Sequence, residues 1–177
     1  MSAISLKNAT PELLAELREA RWKCRTDLKF LCNYVLGMPD VCEEVHRPVI
    51  DHLQQFPIPT SAQVVANDKI VNGAWQYTPL KEIEELEGKR RMLLLDSRGF
   101  LKSSLNCVAH TIQWIINYPD IAILIVQSNS EKANLVVSEI KQAFTGNERF
   151  RALFPEFCPT KRVWEWGRAD SFTVENK

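Results

Sequence analysis

No apolar run in this sequence reaches membrane-spanning length; the longest, Ile121 to Val126, is the size of a β-strand. The first residues, Met1-Ser2-Ala3-Ile4-Ser5-Leu6, lack the basic start and long apolar stretch of a secretory signal. No membrane association is expected, and the chain is read as working inside a cell. An excess of either charge is also missing: 22 basic and 22 acidic residues cancel, so composition neither demands nor supports a nucleic-acid face. The five cysteines are odd in number and irregularly spaced, with no Cys-x-x-Cys knuckle, which argues against a disulfide framework. Cys32, Cys42, His46 and His52 offer four zinc-ligand types, but without a knuckle the plainer reading is apolar thiols and ordinary histidines. Internal repeats and low-complexity tracts are absent as well.

What remains is an ordinary globular composition, 45% apolar and 25% charged, in 177 residues, enough for one domain with a hydrophobic core. Thr10-Pro11-Glu12 reads as a helix start, with a hydroxyl N-cap, proline at the first position and then an acid. Leu13, Leu14 and Leu17 supply its apolar stripe. A second helix is expected over Asp27 to Leu36, carried by Leu28, Leu31, Cys32 and Val35 and ended by Gly37. A third contains Val49, Ile50 and Leu53; Pro48 would break its interior, so it is expected to begin near Arg47. Pro57-Ile58-Pro59-Thr60 ends it. Residues 57–78 read as loop with short strands at Gln63–Val65 and Trp75–Tyr77, followed by a short acidic helix from Thr78-Pro79 to Glu87.

Beyond Gly88 the pattern changes. Arg91 to Leu95 is a short apolar strand, Ser97 to Ser104 a polar turn, and Ser103 to Asn117 a helix stopped by Pro119-Asp120. Ile121 to Val126 is β-branched and continuously apolar, as expected of a strand buried on both faces. Ser130 to Phe144 follows as a helix, with Gly146 beyond its end. Strand, turn, helix, strand, helix makes a βαβα unit and hence a parallel sheet, an α/β fold preceded by a helical N-terminal adjunct. The expected organisation is an adjunct over 1–60, a loop and short-helix linker over 61–90, and the first part of the α/β domain over 91–177.

The segment Leu93-Leu94-Leu95-Asp96-Ser97-Arg98-Gly99-Phe100-Leu101-Lys102-Ser103-Ser104 lies between an apolar strand and a helix, the geometry phosphate binding needs. The first turn of a helix has unpaired N–H groups and the positive end of its dipole, both suited to an anion. A lysine just before that helix reaches the β- and γ-phosphates, and a following hydroxyl ligates Mg²⁺. Against G-x-x-x-x-G-K-[ST] the match is partial: Lys102-Ser103 is in register, but Asp96 and Leu101 replace the glycines.

Ser97-Arg98-Gly99-Phe100-Leu101-Lys102-Ser103-Ser104 is similar to the deviant phosphate loop, of the form P-R-G-x-x-K-S, in large terminase subunits of tailed phages and related viruses. Leu101 departs from the glycine or alanine common before the lysine there. Asp27 to Gly37, then His46-Arg47-Pro48 and Leu53, resembles the helical lead-in of many of these proteins. Ile123 to Ala133 resembles their second strand and the polar turn after it, and Trp164 through Val174 a later stretch. The resemblance implies a P-loop NTPase of the RecA/ASCE-like kind, with helices on both faces of a parallel sheet that is incomplete in this chain. It implies an ATPase motor working as a homo-oligomeric ring in the host cell cytoplasm, with ATP and Mg²⁺ as cofactors. Double-stranded DNA, the small terminase subunit and the portal protein are the partners it implies.

On that resemblance Lys102 is the phosphate-binding lysine and Ser103 the Mg²⁺ ligand, while the N–H groups of Gly99, Phe100, Leu101, Lys102 and Ser103 cradle the β-phosphate. Arg98 senses the γ-phosphate or forms a plain ion pair. Arg47 lies near base or ribose, or, as we prefer, is an exposed arginine at a helix start. Gln127, Ser128 and Asn129 position the loop or DNA, or Ser128 or Ser130 simply caps the next helix. Trp164, Trp166 and Phe172 with Lys161, Arg162 and Arg168 form a nucleic-acid platform or, preferably, a packed hairpin with a basic rim. Hydrolysis in this class also needs an apolar strand ending in Asp-Glu. None is found in the sequence, so the isolated chain is expected to bind ATP but hydrolyse it poorly or not at all.

Overall fold

The computed structural model describes residues 9–54, 68–77, 99–101, 103–118, 121–159, 168 and 170–174. Helix α1 spans Pro11–Thr26, with Thr10 Oγ1 accepting from Leu13 N at 3.3 Å and Pro11 at its first position, the start the sequence predicts. Its buried face differs from expectation. Leu13 is exposed and Leu14 and Leu17 are half-buried, whereas Arg21, Cys24 and Arg25 are buried. Two arginines can take core positions because both lie against Glu156 and aromatic rings.

Asp27 ends α1 and caps the next helix, its Oδ1 accepting from Lys29 N at 3.0 Å and Phe30 N at 3.4 Å. Helix α2 runs over Leu28–Phe30 and continues as a wider, π-wound stretch, Leu31–Leu36. Gly37 closes it at φ +70°, a left-handed conformation that favours glycine. Leu28, Leu31, Cys32 and Val35 are buried, as their spacing predicts.

Helix α3 spans Glu43–Leu53 and so begins a turn earlier than Arg47. Cys42 takes the N-cap position and two acids, Glu43 and Glu44, favour the first turn. Pro48 sits inside the helix; its missing N–H removes one bond without ending the element.

Strands β1 (Asp68–Val71) and β2 (Ala74–Tyr77) form an antiparallel hairpin in register Val71↔Ala74. Asn72 and Gly73, at φ +54° and +79°, turn it. Positive φ at both central residues is the two-residue turn that Asn-Gly favours. The expected strand at Trp75–Tyr77 is therefore present, as half of a hairpin; Gln63–Val65 and the Thr78–Glu87 helix lie outside the described residues.

Helix α4 occupies the stretch predicted for it: a π-wound beginning, Ser103–Ala109, continues as His110–Asn117. Helix α5 spans Ser130–Gly146, which brings Gly146 inside the helix rather than beyond it. Asn147 ends α5 and caps α6 (Glu148–Leu153), its Oδ1 accepting from Phe150 N at 2.9 Å. A single 3₁₀ turn, Pro155–Phe157, follows.

The β1–β2 pair is the only ladder among the described residues. Arg91–Leu95 lies outside them. Residues 121–127 carry no ladder, and Leu124 and Val126 are 86% and 77% exposed, against the expectation of a strand buried on both faces. A strand needs a partner for its backbone groups, and the neighbour expected for this one is not among the described residues. One apolar cluster joins α1–α3 to α4–α6, with Leu28, Ile50, Leu105, Ile112, Phe144 and Phe150 fully enclosed. Among the described residues no helix is long and apolar enough to cross a membrane.

Candidate phosphate loop and the polar clamp behind it

Of the predicted loop, Gly99, Phe100, Leu101, Ser103 and Ser104 are described; Ser97, Arg98 and Lys102 lie outside the described residues. Gly99 has φ +94° and open space where a Cβ would stand, so the conformation and not crowding calls for glycine. Leu101 has φ +48°, a left-handed conformation that costs an L-residue about 1–2 kcal/mol. It is the position where the phosphate-loop pattern has its second glycine. The leucine side chain packs half-buried against the core. Fully burying a leucine stabilises by about 1.5–3 kcal/mol, so partial burial offsets the strain. Leu101 O then accepts from Leu105 N at 2.7 Å, opening α4, and Ser103 is exposed at its start.

Helix α3 approaches this loop. His46 of α3 is buried, and its ring lies 6.2 Å from that of Phe100. His46 Nδ1 accepts from the Cys42 N–H at 3.1 Å and lies 3.5 Å from Cys42 Sγ. Arg47 is mid-helix, not at a helix start, and half-exposed. Its Nε is 2.8 Å from Asp51 Oδ1 and 3.8 Å from Glu43 Oε1.

Among the described residues no group of three or more His, Cys, Asp or Glu side chains is arranged to hold a metal ion. No disulfide joins any of the five cysteines. Burial pushes the Cys24 and Cys32 thiols up to about 12, against the lowering effect of Arg25 and Arg21 on Cys24. The cap of α5 is Asn129, whose Oδ1 accepts from Lys132 N at 2.9 Å, rather than Ser128 or Ser130. Ser128 Oγ accepts instead from Lys132 Nζ at 3.2 Å. Phe172 packs on Phe144, with ring centroids 6.1 Å apart, and Lys141 Nζ lies 6.0 Å from its centroid. Trp164, Trp166, Lys161 and Arg162 lie outside the described residues.

Sequence reasoning missed a buried polar clamp that holds the far end of α4. Arg25 Nη1 donates to Ile116 O at 2.7 Å, placing a cation at the negative end of the helix. In return Gln113 Nε2 donates to Cys24 O at 3.2 Å and Asn117 Nδ2 to Arg25 O at 3.0 Å. Gln54 Nε2, at the end of α3, donates to Thr26 O at 3.0 Å. Glu156 completes the group: its Oε1 is 2.7 Å from Arg21 Nη2 and 3.9 Å from Arg25 Nη2, all three side chains being buried. The Arg21 guanidinium also donates to Leu153 O and lies between the rings of Trp75 (4.3 Å) and Phe154 (4.8 Å). The available signal was Arg21 and Arg25, four apart and in line with Leu17 and Leu28. One turn along α4 from Trp114, His110 is buried and its Nε2 accepts from Trp114 Nε1 at 2.8 Å. Burial holds its ring down to about 4.

No protein-family model, curated protein or solved structure matches this chain.

Proposed function

We propose that the chain binds the phosphates of ATP, with Mg²⁺, on the loop 97–104, as the ATPase portion of a large terminase subunit. In that role it couples ATP hydrolysis to the movement of double-stranded DNA into a viral capsid, in the host cell cytoplasm. The observation that supports it most is local. Gly99 and Leu101 both take left-handed conformations directly ahead of a helix, and Leu101 does so where the phosphate-loop pattern carries a glycine. A residue held there at a cost is the kind of strain that clusters at ligand-binding turns. The approach of the His46 ring to Phe100 also supports this reading, because it sets α3 beside the loop.

In this reading Lys102 neutralises the β- and γ-phosphates, Ser103 ligates Mg²⁺, and the N–H groups at the start of α4 donate to the remaining phosphate oxygens. Arg98 answers to the γ-phosphate. The full motor acts as a ring with the small terminase subunit and the portal protein. The exposed Leu124 and Val126 favour a second reading, a nucleotide-binding module that docks on one of those partners without hydrolysing ATP alone.

The test is a calorimetric titration of a slowly hydrolysed ATP analogue with Mg²⁺ into this chain and into Lys102→Ala. Saturable binding lost in the variant is expected. Equal binding in both, or binding in neither, overturns the phosphate-loop reading and makes Lys102 an ordinary lysine.

A further inference from the structure

Between α2, α4 and α5 lies a cavity of about 320 Å³. Its floor is made by Val108 and Ile112 of α4 and Ala143 of α5, all buried, and Leu36 at the end of α2 forms a wall. The mouth is polar: Glu139 and Gln142 of α5 line it and are exposed, and Gly146 beside them contributes no side chain. Positions 139, 142 and 146 follow the three- and four-residue steps that keep one face of a helix. No described residue of the loop 97–104 lines the cavity, so it is separate from the candidate phosphate loop. Its volume lies at the small end of the range for small-molecule sites, roughly 300–1,000 Å³.

The carboxylate at the mouth has no counter-charge. Among the described residues Glu139 forms no ion pair, and neither its side chain nor that of Gln142 forms a hydrogen bond. Four basic residues stand on α5 and α6, and each turns to a neutral oxygen instead. Lys132 Nζ donates to Ser128 Oγ at 3.2 Å and Lys141 Nζ to Arg168 O at 2.8 Å. Arg149 Nη1 donates to Tyr34 O at 2.8 Å and Arg151 Nη1 to Thr145 O at 3.1 Å. Among the described residues no Lys, Arg or His lines the cavity. An apolar hollow with an unmatched carboxylate and a free amide at its mouth suits a ligand that is apolar at one end and cationic at the other. An anion is repelled by Glu139, and a wholly apolar ligand covers part of that carboxylate without giving it a partner. We propose that the cavity binds a small organic monocation, an aliphatic or aryl amine protonated at neutral pH. The hydrocarbon body lies on Leu36, Val108, Ile112 and Ala143, and the ammonium group donates to the Glu139 carboxylate and to Gln142 Oε1. Burial of the body supplies most of the affinity. The ion pair, at an exposed mouth, contributes less and selects among ligands of equal size.

This inference is independent of the nucleotide reading and is tested on the full chain without nucleotide. The probes are n-hexylamine, n-hexanol and hexanoate, matched in length and different in charge. Each is titrated at neutral pH while amide and methyl resonances are followed residue by residue. Saturable shifts at Val108, Ile112 and Ala143 with hexylamine are expected. Its affinity should exceed that of hexanol by about two- to five-fold, the size of an exposed ion pair, with hexanoate weakest. Glu139→Gln, at an exposed helical position, is expected to remove the preference for the amine and leave the affinity for hexanol unchanged. Gly146→Leu is expected to block all three probes by filling the mouth; its Cβ meets only Gln142 Cγ, at 3.6 Å, so the helix accepts it. The proposal is overturned by the absence of saturable shifts at those three residues, or by an amine that binds no tighter than the alcohol. An amine preference that survives Glu139→Gln overturns it too, as does amine binding that survives in folded Gly146→Leu, since the ligand then sits elsewhere.

Discussion

Two glycines in this chain answer opposite demands, and the difference is visible at the level of one dihedral angle. Gly99 stands at φ +94° with nothing within 4 Å of where an alanine methyl would lie, whereas the methyl of an alanine at 146 would meet only Gln142 Cγ at 3.6 Å. Gly99→Ala is expected to destabilise the fold by about 1–2 kcal/mol through conformation alone. Gly146→Ala, at the end of α5, is expected to stabilise it by up to about 1 kcal/mol. Urea midpoints of the two variants check this, and shifts of the same sign would contradict it. His110 gives the second residue-scale prediction. Its folded value is about 4 against 6.5 for an open histidine, because burial disfavours the charged ring. Between those values the unfolded chain takes a proton that the folded chain refuses, so stability falls as pH falls from 6.5 toward 4. Above that window the contribution is constant. At about 1.4 kcal/mol per pH unit the full loss is on the order of 3 kcal/mol. Glu43, held below the usual carboxylate range by the Lys29 side chain, adds its own loss only at lower pH. Unfolding titrations of the parent and of His110→Gln should diverge across this window. Identical slopes would remove His110 as the cause.

At the scale of elements, helix ends were the most legible feature and interior breaks the least. Thr10-Pro11, Asp27 and Gly37 each act within three or four residues of themselves, so local chemistry was enough to read them. Asn72-Gly73 is equally local, and it carries a hairpin signal to which apolar periodicity is blind. Pro48 misleads for the opposite reason. Its penalty is one term of a sum, and the first-turn acids Glu43 and Glu44, the Cys42–His46 bond and the burial of His46, Ile50 and Leu53 outweigh it. That balance predicts the sign of a substitution. Pro48→Ala restores a backbone donor inside α3 and should raise stability by about 1–3 kcal/mol, with the helical circular dichroism signal unchanged or larger. A loss of stability would mean that the proline sets a bend the packing needs. Of the candidate loop, the sequence carries the order of residues but not their backbone conformations. Leu101 reads as a departure from a glycine pattern, and only the structure shows the left-handed conformation that a glycine would adopt without strain.

At the scale of the whole molecule the clamp matters more than any loop, and it was the least legible part because its members are far apart in sequence. Arg21 and Arg25 meet Glu156 only after α1, the β1–β2 hairpin and the 3₁₀ turn have come together. A periodicity argument places arginines on the wet face of a helix; here one buried carboxylate and a ring of Trp75, Phe154 and Phe157 reverse that preference. Such a group does not stabilise by its charge alone, since removing three charges from water costs several kcal/mol each before their attraction returns it. Its dependence on completeness is the testable property. Glu156→Gln keeps shape and hydrogen-bonding capacity but removes the negative charge that both buried guanidinium groups face. It should cost about 3–5 kcal/mol, the range for a buried pair that loses one partner. Replacing the pair together, Arg21→Met with Glu156→Gln, also removes one of the cations that faced the carboxylate and should recover part of that loss, so the two changes are non-additive. The circular dichroism melts of the parent, both single variants and the double variant close that cycle. Simple additivity would show that Arg21 is held by Leu153 O and the Trp75 and Phe154 rings, with Glu156 a bystander. The expected coupling would show that α1 is fastened to the Pro155–Phe157 turn through this one carboxylate.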